Sequence, residues 1–269
     1  MEIENFYRQT RKIEGWFSPT DAVVFEAILI NQNTLNVLGD MLEIGVYQGK
    51  STVFMGMFKN ANESFEVCDL FDSKTDFENQ EEISRSYRNL NRKLFEENCL
   101  EHLGYLPRIH QMNSNTLLSS LTQKSFRFIH IDGSHIYENV LRDLELSENL
   151  LISDVGYLVI DDYRSEHTLG VALATAKVLA NGRWRVALTT PQKMYLIKSA
   201  NSKTEDNLIF RRVIENKGLS VTVENIYGYD YLRITPSDRF AGFAIPRFWR
   251  KFIPPVLISL VRKIRKSIF

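Results

Sequence analysis

Apolar and polar positions along this chain follow two periods, which predict strands separated by helices. Short apolar runs of the kind found in buried strands occur at 41–45, 65–69, 108–112, 126–132, 156–161, 184–189 and 193–198. The helical period predicts helices after Ser18, from about Lys50, within 78–100, and over 135–151 and 166–180. This alternation favours an α/β fold with a mostly parallel, seven-stranded sheet and helices on both faces.

The overall composition is that of a globular protein. The chain has 269 residues, 44% of them hydrophobic, and a formal net charge of zero. No stretch approaches the ~20 apolar residues of a membrane span, and the first residues lack the basic start and apolar run of a signal peptide. The two cysteines, Cys68 and Cys99, have no metal-site spacing. We therefore expect reduced thiols and a cytoplasmic protein.

Charge divides the chain unevenly. All 33 acidic residues but only 25 of the 33 basic ones lie in the first 238 positions, so the body carries −8 and the tail +8. We expect four parts: an N-terminal helical segment at 1–38, a core at 39–200, an extension at 201–238 that adds a helix and one or two strands to the core, and a basic amphipathic tail at 239–269. The tail fits an anionic membrane surface, or it docks on the body or on a second subunit.

The first strand runs into the sequence Glu43-Ile-Gly45-Val-Tyr47-Gln-Gly49-Lys-Ser51. A phosphate-binding P-loop needs four residues between its glycines, and only three occur here. The remaining pattern, ExGxxxG opening a helix, resembles motif I of class I S-adenosylmethionine-dependent methyltransferases. A plain strand-to-helix turn stays open as the alternative. Gly45 would let the backbone turn against a ligand, and Gly49 would let the helix pack closely.

Polar residues follow the next two strands. Asp69 lies 24 positions after Gly45, a spacing that suits hydrogen bonds to ribose hydroxyls, and Asp72 is its competitor. Asn113 and Ser114 follow the third strand, where methyltransferases often contact adenine. A solvated turn is the alternative for each aspartate.

The fourth and fifth strands both end in carboxylates, Asp132 in one and Asp161-Asp162 in the other. Neighbouring parallel strands would bring these acids together, and unpaired carboxylates repel one another. A divalent cation would remove that repulsion, and oxygen ligands favour Mg²⁺ or Mn²⁺. The alternative is that the acidic pair only caps a turn.

The segments EIGVYQGKST, FIHIDGSHIYENVLRDLELSENLL and GYLVIDDY, with Gly15-Trp16, resemble the macrocin and mycinamicin sugar O-methyltransferases. Cephalosporin-hydroxylase-like proteins belong to the same broad family. The resemblance covers roughly residues 13–200. It implies a Rossmann-like class I methyltransferase fold and S-adenosylmethionine as cofactor.

The resemblance also implies a set of site residues. A metal would be held by Asp132, Asp161 and Asp162, and His135 would be the general base. The cofactor would be bound by Glu43, Gly45, Tyr47, Gly49, Ser51, Asp69, Asn113, Ser114 and Asp132.

Several other aromatic and charged residues are expected to have structural roles. We expect core packing for Trp16 and Phe17, although covering the cofactor or acceptor is open to them and to Tyr47. His130 is expected to be buried and structural, or a cofactor-pocket wall. Arg142 and Asp143 are expected on a solvated helix face.

Together these expectations predict a metal-dependent O-methyltransferase that acts on a hydroxyl of a sugar or glycosylated metabolite. A phenolic acceptor, an oxidative role and a non-catalytic binding or assembly protein remain alternatives. The partner is a small-molecule or glycan acceptor and not nucleic acid, because no recognition motif occurs. A homo-oligomer and a peripheral membrane contact through the tail stay open.

Overall fold

A computed structural model describes residues 2–73, 90–121, 125–152, 155–199 and 207–236. Its strands are β1 Asp40–Ile44, β2 Phe65–Asp69, β3 Arg108–Gln111, β4 Phe126–Ile131, β5 Tyr157–Ile160, β6 Trp184–Thr189, β7 Met194–Lys198, β8 Leu219–Ile226 and β9 Tyr229–Pro236. Its helices are α1 Ile3–Gln9, α2 Pro19–Thr34, α3 Lys50–Gly56, α4 Arg92–Leu103, α5 Leu118–Leu121, α6 Tyr137–Leu150, α7 Leu169–Ala180 and α8 Asn207–Asn216.

One mixed sheet contains all nine strands of the described ranges, in the order β3-β2-β1-β4-β5-β7-β6-β9-β8. Strands β7 and β8 run opposite to the other seven. The predicted α/β class and mostly parallel sheet are therefore confirmed, but the predicted number of seven strands is wrong. The two additional strands, β8 and β9, form a hairpin that continues the sheet beyond β6. They follow α8 in the extension, where a helix and one or two strands were expected, and that expectation is confirmed.

Helices cover both faces of the sheet, as the alternation predicted. One face packs against α2, α3 and α4, and the other against α6 and α7. Alternate strand residues serve the two faces: Met41 and Phe128 point to the first, and Leu42 and Ile129 to the second. This two-residue period matters below, because it fixes which polar side chains share a face.

The strand order reverses between β1 and β4, since β1 pairs with β2 on one side and β4 pairs with β5 on the other. In sheets of this kind a crevice opens there at the carboxyl ends of the strands, and ligands bind in it. The residues that follow β1, β2, β4 and β5 are the candidates identified in the sequence.

Two expectations fall partly or wholly outside the described residues. The charged segment predicted to be helical within 78–100 is described only from residue 90, and α4 accounts for that part. The basic tail at 239–269 lies outside the described ranges altogether. Among the described helices, none has the length and apolar character that crossing a membrane requires.

Candidate active site

A cavity of about 750 Å³ opens at the reversal point of the sheet. Ten of the predicted site residues line it: Gly45, Tyr47, Ser51, Asp69, Asn113, Ser114, Asp132, His135, Asp161 and Asp162. Its size falls within the range typical of cofactor and small-molecule sites. Glu43 and Gly49 are absent from the lining and lie behind it.

The glycine loop after β1 is shaped by Gly45 and held by Asp69. Gly45 has φ +82°, and a Cβ there would lie 2.2 Å from the backbone oxygen of Asp132. The Asp69 carboxylate accepts hydrogen bonds from the backbone N–H groups of Val46 and Tyr47 at 2.7 and 3.1 Å. Asp69 therefore fixes the loop that the nucleotide end of a cofactor would contact.

The two predicted cofactor residues outside the lining have structural surroundings. Gly49 begins α3 with φ +88°, and a Cβ there would approach the ring of Phe95 to 2.9 Å. Glu43 is fully buried and accepts a hydrogen bond of 2.5 Å from the Thr52 hydroxyl. Its other oxygen lies 2.8 Å from Nδ1 of His130. In this structure Glu43 thus contacts protein groups behind the cavity wall.

The chain before α2 covers one side of the cavity. The Trp16 ring is stacked on the Tyr47 ring, with centroids 5.8 Å apart, yet 64% of Trp16 is exposed. The Tyr47 hydroxyl donates to the Glu14 carboxylate, and the Lys50 ammonium donates to the Gly15 carbonyl. Core packing, the fate expected for these aromatics, holds for Phe17 but not for Trp16.

The β3 side of the cavity contains a residue that the sequence analysis misplaced. Asp143 was expected on a solvated helix face, but it is 2% exposed and lines the cavity. Its Oδ1 atom has no hydrogen-bond partner among the residues that the structure describes. Burial raises the pKa of Asp143 to about 7, although a hydrogen bond with Ser114 acts in the opposite direction. Arg142 is exposed, as expected.

We expect Asp143→Asn to stabilise the protein in a pH-dependent way. The folded protein holds the Asp143 proton up to about pH 7, whereas an unfolded chain releases it near pH ~4. Folding therefore loses stability as the pH rises through this window, and an uncharged asparagine avoids the loss. The melting temperature of the variant should equal that of the wild type near pH ~4 and exceed it by about 5 °C at pH ~8.

Differential scanning calorimetry across this pH range checks the effect, with the exposed neighbour Glu145→Gln as control. A difference in melting temperature that stays constant with pH would show that ionisation of Asp143 is not its cause.

His135 and Asp162 face each other across the cavity. His135 Nε2 lies 3.4 Å from Asp162 Oδ2, and both side chains are half-buried. Asp162 has φ +54°, a conformation that non-glycine residues adopt mainly where the surroundings require it. Its backbone N–H donates to Asp161 Oδ1 at 2.8 Å, and its carbonyl accepts from the Thr168 hydroxyl at 2.7 Å. These bonds hold the turn that presents the carboxylate to the imidazole.

At the back wall of the cavity, four polar side chains from neighbouring strands share one face of the sheet: Glu43, His130, Asp161 and Lys193. Glu43 and His130 pair directly in the register of β1 and β4. Ile160 pairs with Met194 in antiparallel register, so Lys193, one position earlier, lies opposite Asp161. The Lys193 ammonium is 2.5 Å from Asp161 Oδ2 and 3.0 Å from His130 Nε2. Lys193 is fully buried.

Lys193 was not among the predicted site residues, although the sequence contains a signal for its burial. Lys193 is in phase with Tyr195, a buried residue of β7, because side chains two positions apart share a face. A lysine in phase with the buried face of a central strand indicates a buried cation. His130 was expected to be buried, and this expectation is confirmed.

The ammonium determines the charges around it. Burial would raise the pKa of Asp161, but the charge of the Lys193 ammonium and its hydrogen bond outweigh this and lower it. The pKa of Asp132 is raised, first by burial and then by the charge of Asp161. Burial, together with Lys193, lowers the pKa of His130. His130 is therefore neutral, with Nε2 accepting from Lys193 and the Nδ1 proton donated to Glu43.

Two of the three predicted metal ligands lie close together. Asp132 and Asp161 form with His130 a group that could hold a metal ion, with ligand atoms within 4.8 Å of one another, whereas Asp162 faces His135. Both oxygens of Asp161 have protein partners, and so do both ring nitrogens of His130. Lys193 also lies 3.7 Å from Asp132 Oδ2. An ammonium held against these atoms does not fit a divalent cation on the same ligands.

Comparison with known proteins addresses the enzyme class. Residues 42–163 match a family model described as a methyltransferase domain. The enzyme is a methyltransferase. The matched segment begins in β1 and ends just after the Asp161-Asp162 turn, so it contains the glycine loop and the carboxylates of β4 and β5. The predicted class, an S-adenosylmethionine-dependent O-methyltransferase, agrees with this match.

Solved structures agree in fold. The O-methyltransferase NovP superposes with a TM-score of 0.55 at 16% identity, over 66% of this chain and 80% of that one. The calicheamicin methyltransferase CalS11 superposes with a TM-score of 0.50 at 14% identity, over 73% of this chain and 91% of that one. An O-methyltransferase from Klebsiella pneumoniae, described as putative, superposes with a TM-score of 0.50 at 16% identity, over 74% of this chain and 90% of that one. These similarities establish the Rossmann-like methyltransferase fold. No curated protein matches the sequence.

Proposed function

We propose that this protein transfers the methyl group of S-adenosylmethionine to a hydroxyl of a sugar or of a glycosylated small molecule. One observation carries the proposal: the His135–Asp162 pair and the loop held by Asp69 line the same cavity. The loop gives the cavity a nucleotide end, and the pair gives it a proton acceptor. The macrocin and mycinamicin family, which the sequence resembles, is the proposed subfamily.

The cofactor end has features that suit a nucleoside. Gly45 leaves the strand end open, since a Cβ there would fill the space against Asp132. Asp69 is the proposed partner of the ribose hydroxyls, and Asn113 and Ser114 are the proposed contacts of the adenine, since all three line the cavity. Asp132 is proposed to face the cationic methionine end, where a carboxylate stabilises a sulfonium.

The proposed chemistry is a direct displacement. When bound, S-adenosylmethionine supplies a methyl group activated by a positively charged sulfur. The acceptor oxygen forms the new bond to the methyl carbon as the carbon–sulfur bond breaks and a neutral thioether leaves. The hydroxyl proton passes to His135, and Asp162, 3.4 Å away, stabilises the resulting imidazolium. Holding acceptor and methyl donor in line supplies much of the rate.

The acceptor is proposed to contact polar and aromatic residues of the cavity lining. Ser165, Thr168 and Gln192 supply polar groups, and the exposed Trp16, stacked on Tyr47, supplies an aromatic surface. Sugar hydroxyls suit the polar groups, and the apolar face of a sugar ring suits an exposed aromatic surface. CalS11, which shares the fold, is described as a calicheamicin methyltransferase.

The proposed reaction needs no metal, although the sequence resemblance implies one. Lys193 occupies the space between the carboxylates, and the His135–Asp162 pair can accept a proton without a metal. A phenolic acceptor on the same site is the second candidate, because the stacked Trp16–Tyr47 pair would also contact a flat aromatic ring.

An acceptor screen tests the proposed function. The purified protein is incubated with S-adenosylmethionine and either nucleotide sugars and glycosides or catechols, and S-adenosylhomocysteine and methylated products are measured by mass spectrometry. We expect turnover on sugar hydroxyls. Turnover confined to catechols would show that the acceptor is a phenol and not a sugar. The absence of turnover on every acceptor would contradict O-methyl transfer.

We expect Trp16→Ala to raise KM for a sugar acceptor by about tenfold and to leave kcat nearly unchanged, because it removes a binding surface away from the proton acceptor. Steady-state kinetics measure the effect. Leu38→Ala, at a residue that is 86% exposed, is the matched control. An unchanged KM would show that Trp16 does not contact the acceptor.

A further inference from the structure

The Lys193 ammonium lies where the carboxylates of β4 and β5 come closest. It is within 2.5 Å of Asp161, 3.0 Å of His130 and 3.7 Å of Asp132. Its backbone is fixed by a tight turn, in which Lys193 N–H donates to the Thr190 hydroxyl at 2.9 Å. That hydroxyl donates in turn to Asp21 of α2 at 2.6 Å. The position of the ammonium is therefore determined by two packed elements.

A divalent cation on the same carboxylates would need oxygen ligands at roughly 2.0–2.6 Å and no competing positive charge. Asp161 already binds Lys193 through Oδ2 and the Asp162 N–H through Oδ1, so fewer of its lone pairs are left for an ion. The second requirement is not met, because a fully buried ammonium cannot move into solvent without breaking its contacts. Charge balance at this cluster is achieved by the protein itself.

We infer that Lys193 takes the place that the family resemblance gives to a divalent cation, so that this protein works without one. Lys193 is then a positioning residue. Its ammonium fixes Asp161, Asp161 fixes the backbone of Asp162, and Asp162 faces His135. The part concerning catalysis rests on the proposed function, whereas the exclusion of metal does not.

Manganese binding tests this inference without any assay of activity. Mn²⁺ is titrated into chelator-treated full-length protein and the free ion is followed by electron paramagnetic resonance. The wild type should show no saturable site up to millimolar Mn²⁺. Lys193→Ala, which leaves the carboxylates unbalanced, should bind Mn²⁺ at least about tenfold more tightly. Lys217→Ala removes the partner of the buried Glu26, 2.8 Å away, and is the matched control.

Two results would overturn the inference. One Mn²⁺ bound per wild-type chain, and lost in Asp161→Asn, would overturn it. A Lys193→Ala protein that binds Mn²⁺ no better than the wild type would also overturn it, because the ammonium would not be what excludes the ion. If Lys193→Ala does not fold, Lys193→Met preserves the volume of the side chain and takes its place. Binding of S-adenosylhomocysteine, measured separately, reports on the proposed function alone.

Discussion

Replacing His135 with glutamine is expected to lower kcat by about 10²–10⁴-fold, the usual contribution of a general base. Glutamine preserves the size and polarity of the side chain but cannot take up the proton of the acceptor hydroxyl. Because His135 lies at the acceptor side of the cavity, affinity for S-adenosylhomocysteine should change little. Single-turnover kinetics with a saturating acceptor measure the chemical step.

The control for this prediction is His102→Gln, which changes a histidine of α4 that does not line the cavity. If His135→Gln retains more than about a tenth of the wild-type kcat, His135 is not the base. Asp162→Asn would separate the two members of the pair, since it keeps the imidazole but weakens the stabilisation of the imidazolium.

Replacing Asp69 with asparagine is expected to weaken S-adenosylhomocysteine binding by about 100-fold, the value of one or two hydrogen bonds to a charged group. The Asp69 carboxylate accepts two backbone N–H groups of the glycine loop and a third, from Phe71, at 2.9 Å. In Asp69→Asn one of the two oxygens becomes an amide NH2 group that cannot accept a hydrogen bond. At least one of these backbone N–H groups therefore loses its acceptor, the loop shifts and the proposed ribose contact changes. Isothermal titration calorimetry measures the affinity.

Asp72→Asn is the matched control for Asp69. Asp72 competed with Asp69 in the sequence analysis, but in the structure it accepts a hydrogen bond from Gln111 at 2.9 Å and does not line the cavity. Its variant should bind S-adenosylhomocysteine as the wild type does. Equal losses in both variants would show that general negative charge, and not the Asp69 contacts, governs binding.

The parts of the molecule that depend on local periodicity were predictable from the sequence. The seven apolar runs correspond to seven of the nine strands. Asp69, Asp132 and Asp161 each stand at the end of one of these runs, which predicted that they lie at the same edge of the sheet. Parallel strands that neighbour one another must bring their carboxyl ends together. One or two strands were also expected in the segment that forms the β8–β9 hairpin, but they were not counted in the sheet, because many of their residues are exposed and the apolar pattern is weak.

The burial of two residues could not be predicted from the sequence, because distant parts of the chain form their surroundings. Lys193 meets Asp161 only through the antiparallel register of β7 beside β5. Asp143 has the sequence neighbours of a surface position, yet α6 turns it towards the cavity and Ser114. In both cases a charged residue is buried, which is uncommon enough that sequence alone favours exposure. The sequence predicted that the carboxylates after β4 and β5 lie near one another, but it did not predict the Lys193 ammonium beside them.

Titration of the chelator-treated protein with S-adenosylhomocysteine in a calorimeter tests the proposed cofactor site most directly. We expect saturable one-site binding that needs no added Mg²⁺ and that is weakened in Asp69→Asn. The absence of binding by a protein that gives a cooperative melting transition would contradict the proposal that the cavity holds this cofactor.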